Sequence, residues 1–462
     1  MNAPWSKSGR FERVLVYGLG LSGKAAAHLL LSRGVAVVGV DEKPAEKLDL
    51  GDLAGRIELR AGGVPENLFT EVDGVVVSPG VPLDRPLLTD ARHRGLPVIA
   101  EVELAYPFLD GPIVAITGSN GKSTTTALTG AMVRAAGRAV EVCGNIGEPL
   151  AGLVDGLPGR VFVVELSSFQ IEGLATFKPA AAALLNISED HLDRYAGLAA
   201  YTAAKKRLFR DQDADGIAVL NADDPETLEV ATAARKRFFS RRGPVTDGCW
   251  ADPDGRVVEV TPGRPDVELF HASDVPLAGV QNLENAMAAA LLARAVGVEP
   301  AAIRAALTGF QGLPHRMQRA GERNGVVFYD DSKGTNPAAT AKSLEGFADG
   351  AVHLILGGRN KGADLTVLAP IVRQKARRVY LIGESAGDFE QALAGTVPME
   401  RSETLKRAVR SAAGQAADGE AVVLSPACAS FDQFRNFVHR GESFQALVRQ
   451  LVEGPNGEEA GV

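Results

Sequence analysis

The sequence predicts an α/β protein of three domains. Three observations carry that expectation: short apolar runs without alternation, Ala-rich helical stretches between many of them, and glycines gathered at the ends of the runs. The runs are Val14–Tyr17, Val35–Val40, Val75–Val77, Ile113–Ile116, Val161–Val164, Ala181–Leu185, Val352–Leu356, Val379–Ile382 and Ala421–Leu424. Apolar runs this short and unbroken suit strands of a mostly parallel sheet buried on both faces.

A chain of 462 residues has room for about three domains at roughly 150 residues each. Two breaks divide it. Around Tyr106–Pro112 two prolines and a glycine interrupt any helix before a new strand begins. A similar pause at Phe310–Pro314 follows the helical segments Asn282–Val296 and Pro300–Leu307. The expected domains are therefore 1–108, 109–312 and 313–462. Within the second, the turn Asp252-Pro253-Asp254-Gly255 followed by Arg256–Val260 predicts a small β-hairpin insertion. No internal repeat is visible, and the tail Glu453–Val462 is expected to be loose.

Composition excludes several classes. With 45% hydrophobic and 23% charged residues, global disorder has no support. Lys and Arg number 49 against 57 Asp and Glu, a net charge of −8, which disfavours a nucleic-acid partner. Cys143, Cys249 and Cys428 stand far apart with no CxxC pair, which argues against a disulfide framework or a thiolate zinc site and for a reducing cytoplasm. No apolar signal core precedes the first strand, and no run nears the roughly 18 residues of a membrane span. A cytoplasmic protein without a membrane partner is expected.

The first chemical motif is Gly18-Leu19-Gly20-Leu21-Ser22-Gly23, between a strand and a helix, with Asp41 ending the next strand. Glycines permit the tight turn and close approach of a diphosphate to a helix N-terminus, and the acid suits a ribose hydroxyl. The motif alone does not separate NAD from another nucleotide diphosphate. The second is Thr117-Gly118-Ser119-Asn120-Gly121-Lys122-Ser123-Thr124, before the helix expected over Thr125–Ala136. Loop N–H groups can cradle phosphates, Lys122 can neutralise the β/γ charge, and Ser123 can reach Mg²⁺. Glu165 ends the strand VFVV roughly 40 residues later, where such folds place an acid for the metal.

Two further clusters are less specific. His191 has Glu189, Asp190 and Asp193 close by in sequence, and Lys205 and Lys206 follow. Neighbours on a helix point about 100° apart, so one lysine at most faces a site, and spacing does not say which. The third domain offers Leu313-Pro314-His315-Arg316, Asp330–Asn336, Gly357–Lys361 and Ser425–Asp432. Their cations and small hydroxyl residues suit phosphate and carboxylate groups, and three of the four follow strand-like runs.

Taken in order, GLGLSG, SPGVP, TGSNGKST, CGNIG, ELSSFQIE, EDHLDRY, AAK, GLPHR, DDSKGTN and SPACASFDQFRNF make the chain resemble the Mur ligases from about Val14 to Val448. The resemblance implies Rossmann-like first and third domains around a P-loop ATPase-like central one. It implies an ATP-dependent ligase joining D-glutamate to UDP-N-acetylmuramoyl-L-alanine in peptidoglycan precursor synthesis, and a monomer is expected. On it, Gly18, Gly20, Ser22, Asp41, Ser78 and Asn145 would hold the UDP substrate. Gly118, Ser119, Asn120, Gly121, Lys122, Ser123, Thr124, Asn282, Arg316, Asp331 and Lys333 would hold ATP, with Asn282 at adenine and Asp331 at ribose. Ser123 and Glu165 would bind one Mg²⁺, His191 and Lys205 a second, Lys205 being carbamylated by CO₂. Lys122, His191 and Lys205 would be catalytic. D-Glutamate would meet Thr335, Lys361, Ser425 and Phe431. Two departures are Gln281 where relatives carry His, and Lys43 where some carry Arg.

The implied chemistry has two steps: γ-phosphoryl transfer to the L-alanyl carboxylate, then attack of the D-glutamate amine on the acyl phosphate. Other readings remain open: another Mur-type or folylpolyglutamate synthetase-like ligase, an NAD-dependent dehydrogenase with an added nucleotide domain, or a nucleotide-gated binding protein.

Overall fold

The computed structural model describes residues 11–63, 69, 71–190, 194–277 and 279–453. His191, Asp193 and nearly all of the expected loose tail lie outside the described residues. The strands of the described residues form three sheets, and each of the nine apolar runs lies largely within a strand.

The first sheet contains β1 (Arg13–Tyr17), β2 (Ala36–Asp41), β3 (Glu58–Ala61), β4 (Gly74–Val77) and β5 (Val98–Ala100), in the order β3-β2-β1-β4-β5. All its pairs are parallel. Successive side chains of a strand leave opposite faces: Val14 and Val16 enter one apolar cluster and Leu15 and Tyr17 another. Both faces are covered, which is why the run shows no polar alternation.

The central sheet contains β6 (Ile113–Thr117), β7 (Val140–Gly144), β8 (Val161–Glu165), β9 (Ala181–Leu184), β10 (Ile217–Asn221), β11 (Arg235–Ser240), β12 (Gly248–Ala251), β13 (Arg256–Val260) and β14 (Val267–His271). Its order is β14-β13-β12-β11-β10-β9-β6-β8-β7. The expected hairpin forms around Asp252–Gly255, but it continues the edge of this sheet: β12 pairs parallel with β11 and antiparallel with β13. The helix expected over Asn282–Val296 runs Val280–Ala295, and every residue from Ala286 to Ala293 is fully buried. A helix apolar all round belongs in a core.

The third sheet contains β15 (Gln318–Arg323), β16 (Val326–Asp330), β17 (Val352–Gly357), β18 (Ala376–Ile382), β19 (Met399–Glu403) and β20 (Ala421–Leu424), in the order β15-β16-β20-β17-β18-β19. It too alternates faces, with Leu354, Leu356 and Val423 in one cluster and Ile355, Val422 and Leu424 in the other. Helix Leu405–Gln415 covers one face with Leu405, Ala408, Val409 and Ala412, spaced for one helical stripe. Thr404 caps it by accepting from the Arg407 N–H.

The chain divides into two compact units. The first unit holds residues 1–187, 199–272 and 285–307, and the second holds 188–198, 273–284 and 308–462. The described residues of segments 188–198 and 273–284 fall in the second of these units. Inside the first unit, Glu101 and Glu103 of helix Glu101–Ala105 accept backbone N–H groups of Ala151, and of Ala175 and Thr176, from the segment carrying the central sheet. No described helix is long and apolar enough to cross a membrane.

Candidate active site

In the first unit, the carboxyl ends of β1, β2 and β4 surround a cavity of about 500 Å³. Gly18, Gly20, Ser22, Asp41 and Ser78 line it, as do Tyr17, Glu42 and Lys43. Asp41 fixes the glycine turn: one carboxylate oxygen accepts from the Leu19 N–H at 2.8 Å and the other from the Lys43 N–H at 2.9 Å. Ser78 Oγ donates to the Gly18 carbonyl at 2.6 Å. Gly23 is required by close approach, since a methyl there would overlap the Gly18 carbonyl. Tyr17 OH donates to Glu42, and burial with this carboxylate pushes its pKa up to about 12.

β6 leads into the phosphate loop, and helix Lys122–Ala135 begins directly after Gly121. Gly121 has φ +82°, and a methyl there would overlap Asn285 Oδ1. Asn186 supports the loop from the end of β9: its side chain accepts from the Asn120 N–H at 2.8 Å and its carbonyl accepts from the Ser119 N–H at 2.9 Å. Lys122 Nζ donates to the Gly118 and Ser119 carbonyls, a position from which it can turn to phosphate oxygens. Ser123 and Thr124 are buried in the first turn of the helix.

Glu165 ends β8, and its backbone pairs in register with Ile116, two residues before Gly118. It is 1% exposed. Oε1 accepts from Asn145 Nδ2 at 2.8 Å, whereas Oε2 is buried without a partner among the described residues. A buried carboxylate oxygen left over in this way is costly unless a cation or donor meets it. Together with the Ser123 hydroxyl it supplies the hard oxygen donors that fit Mg²⁺. Asn145, read above with the UDP substrate, is thus held at Glu165 and does not line the first cavity. Its backbone also donates to the Glu165 carbonyl, because β7 and β8 are neighbours.

Helix Leu198–Lys206 settles the direction of the two lysines. Lys205 is 1% exposed, donates to the Gly118 carbonyl at 2.8 Å, and lies 4.6 Å from the Tyr201 ring centroid. Lys206 turns outward to Glu226 and Glu229.

In the second unit, a much smaller cavity of about 10 Å³ is lined by Thr335, Asn336, Asn360, Lys361, Ala427 and the acids Glu189 and Asp190. Asp190 accepts from Lys361 Nζ at 3.3 Å and from Asn336 Nδ2 at 3.2 Å. A carboxylate is therefore held by a cation and an amide inside the pocket. Ser425 and Phe431 do not line it. Ser425 is fully buried and donates to Asp331 Oδ2 at 2.7 Å, and Phe431 is exposed. Asp331, expected at a ribose, is itself buried and accepts from Ser425 and Ser343, both at 2.7 Å. Burial outweighs these hydrogen bonds and raises its pKa to about 6. As placed, both residues brace the loops instead of facing solvent. Arg316 follows His315, whose φ is +62°, and the Lys333 ammonium lies 5.5 Å from the Phe437 ring centroid. Burial pushes the Cys428 thiol up to about 12, so it packs as a neutral side chain.

Sequence comparison matches the Mur ligase MurD-like N-terminal domain to residues 12–100, the Mur ligase middle domain to 116–293, and the Mur ligase glutamate ligase domain to 315–428. A UDP-N-acetylmuramoylalanine–D-glutamate ligase of Anaeromyxobacter dehalogenans is 45% identical over 451 residues, covering 95% of this chain and 97% of the relative. The enzyme of the same name from Acidobacterium capsulatum is 43% identical over 444 residues, covering 95% and 96%. The chain belongs to the Mur ligase family.

Among solved structures, the MurF ligase of Thermotoga maritima in complex with ADP shares the fold at a TM-score of 0.60 and 18% identity, covering 95% of this chain and 97% of that one. A pseudomurein peptide ligase of Methanothermus fervidus gives 0.61 at 18% identity, covering 95% and 100%. Mur ligases form amide bonds with ATP, so the glycine turn of the first domain is not evidence for a dehydrogenase. One support of this Mur ligase site, Asn186, was not singled out in the sequence, while Asn336, Asn360 and Asn285 stood within motifs but were given no role. Asn285 had a signal, standing three residues after Asn282 on the same helix. Thr125 Oγ1 donates to Asn285 Oδ1 at 3.3 Å. Asn282 is buried on that helix in the second unit.

Proposed function

We propose that this Mur ligase joins D-glutamate to UDP-N-acetylmuramoyl-L-alanine in the cytoplasm, consuming ATP. The observation that carries the chemistry is the buried Glu165 Oε2, without a partner among the described residues, at the strand end beside the phosphate loop. The names of the full-length relatives support the choice of substrates.

A carboxylate is a poor acyl donor because oxide would have to leave. Transfer of the γ-phosphoryl group to the L-alanyl carboxylate oxygen replaces that leaving group with phosphate. The amine of D-glutamate then attacks the carbonyl carbon, the C–N bond forms, phosphate departs with the C–O bond electrons, and the proton lost by the amine passes to His191 or a phosphate oxygen. The loop from Gly118 to Thr124 holds the ATP phosphates, and Lys122 compensates their charge. Mg²⁺, held by Ser123 and Glu165, would offset charge on the transferring phosphoryl group. Lys205, modified to a carbamate, would join His191 at a second ion; both roles rest on family resemblance.

Gly18, Gly20, Ser22, Asp41 and Ser78 seat the UDP moiety in the first cavity. Arg316 and Lys333 supply cations to ATP. Thr335 and Lys361 take the D-glutamate carboxylates in the second cavity, where Asp190 stands in for a carboxylate ligand. For Ser425, bonded to Asp331, and for the exposed Phe431, the D-glutamate role rests on family resemblance alone.

The test is phosphate release from ATP with UDP-N-acetylmuramoyl-L-alanine and D-glutamate, L-glutamate or no amino acid. Release that requires D-glutamate is expected. Equal release with L-glutamate, or none with any, overturns the proposal.

A further inference from the structure

Arg440 lies on helix Phe437–Glu453 and is 1% exposed, among the largest fully buried side chains. None of its hydrogen-bond acceptors is a carboxylate. Nε donates to Ser332 Oγ at 3.0 Å, and Nη2 donates to the Ser332 carbonyl at 2.8 Å. Nη1 and Nη2 both reach the Cys428 carbonyl, at 3.2 and 3.1 Å, and Nη1 reaches the Gly357 carbonyl at 3.5 Å. Burial lowers its pKa to about 10, so it remains a cation at neutral pH.

The three acceptors are not scattered. β16, β20 and β17 are adjacent in the third sheet, and Ser332, Cys428 and Gly357 lie at or just beyond their carboxyl ends. Each belongs to one loop of the second cavity: Ser332 precedes Lys333 and Thr335, Gly357 precedes Asn360 and Lys361, and Cys428 follows Ala427. Ser332 also donates to the Phe437 carbonyl, which ties its loop back to the helix that bears Arg440. Arg359 and Ala429 join two of the loops by reciprocal backbone hydrogen bonds.

We infer that Arg440 is a positioning residue for the amino-acid pocket, its guanidinium setting the relative places of Thr335, Lys361 and Ala427 by holding their three loops on one rigid fork. A buried cation that shares no hydrogen bond with a carboxylate, and has only the nearby charges of Asp432, Asp330 and Asp331, is a poor device for stability alone, since an apolar side chain of similar size packs without a desolvation cost. Its use lies in geometry. Five donors in a fixed plane serve several acceptors in set directions at once, whereas the three donors of an ammonium rotate on a flexible stem and fix no such plane. Buried polar networks that are satisfied in this way rigidify their surroundings.

The inference rests on the reading that this pocket takes D-glutamate. The test uses the full-length enzyme and the variants Arg440→Lys, Arg440→Met and Ser332→Ala. KM is measured for D-glutamate and for UDP-N-acetylmuramoyl-L-alanine, whose cavity lies in the other unit. Arg440→Lys is expected to raise the D-glutamate KM at least tenfold and leave the other KM within twofold. Ser332→Ala, which removes the Nε acceptor together with the hydroxyl's bond to the Phe437 carbonyl, shifts the same KM by a smaller factor and decides the matter if the Arg440 variants do not fold. An unchanged D-glutamate KM in the folded variants, or two KM values that rise together, overturns the inference. If the wild type accepts a different amino acid, the substrate reading fails, and Arg440 is judged by the same criterion on the KM of that amino acid.

Discussion

Asn145 Nδ2 donates to Glu165 Oε1 at 2.8 Å and leaves Glu165 Oε2 buried with no partner among the described residues. One oxygen is thereby fixed and the other is reserved. Replacing Glu165 with Gln keeps the size but removes the anion. The Mg²⁺ concentration for half-maximal phosphate release is expected to rise by roughly 10- to 100-fold, as for other losses at a metal site. Asn145→Ala frees the carboxylate to rotate and should produce a smaller shift in the same direction. An unchanged Mg²⁺ titration in Glu165→Gln would remove this acid from the site.

Lys205 is enclosed by the Gly118 carbonyl and the Tyr201 ring. Lys205→Ala should lower kcat by about 100-fold or more, the scale of lost charge stabilisation in an active site. Lys206→Ala is the control, because that lysine faces Glu226 and Glu229. Equal activity of the two variants would contradict the assignment.

Gly121 combines φ +82° with contact to Asn285. Gly121→Ala carries backbone strain of about 1–3 kcal/mol and must also displace the Asn285 side chain. ATP affinity, read by fluorescence of a labelled nucleotide, should fall at least tenfold. Truncating Asn285 as well should not restore it, since the backbone conformation remains unfavourable.

Glu101 is 2% exposed, with one oxygen accepting from the Ala151 N–H at 2.5 Å and the other unpartnered. Burial raises its pKa from 4.5 to about 7. The folded state therefore binds this proton more tightly than the unfolded chain, and the group's contribution to stability falls as pH rises from about 4.5 to about 7. Glu101→Gln should flatten that slope. Relative to the wild type, it should gain on the order of 1–3 kcal/mol between pH 5 and pH 8, read from urea unfolding at each pH. Parallel pH profiles would show that the carboxyl does not titrate in this window.

Lys361 pairs with Asp190 inside the second cavity. Lys361→Ala removes a charge-assisted hydrogen bond of about 2 kcal/mol, which predicts a D-glutamate KM roughly 30-fold higher. The KM for UDP-N-acetylmuramoyl-L-alanine should stay within twofold. A uniform loss across both substrates would assign Lys361 to a different task.

The α/β class, the nine apolar runs, the glycine turn and the phosphate loop were legible in the sequence because each depends on local order along the chain. A strand buried on both faces must be continuously apolar, and a loop that cradles phosphate must place glycines and a lysine at set intervals. Tertiary packing decided what local order could not. It turned Lys205 inward and Lys206 outward, drew Asn145 to Glu165, and buried Ser425 and Asp331 against each other. Arg440 shows the difference most plainly. In sequence it is one arginine in a C-terminal helix, and only the adjacency of β16, β20 and β17 brings three carbonyls, two of them more than 80 residues from it along the chain, to a single guanidinium. Hydrogen-bond partners at such separations are chosen by strand order and burial, and neither is written in the spacing of residues.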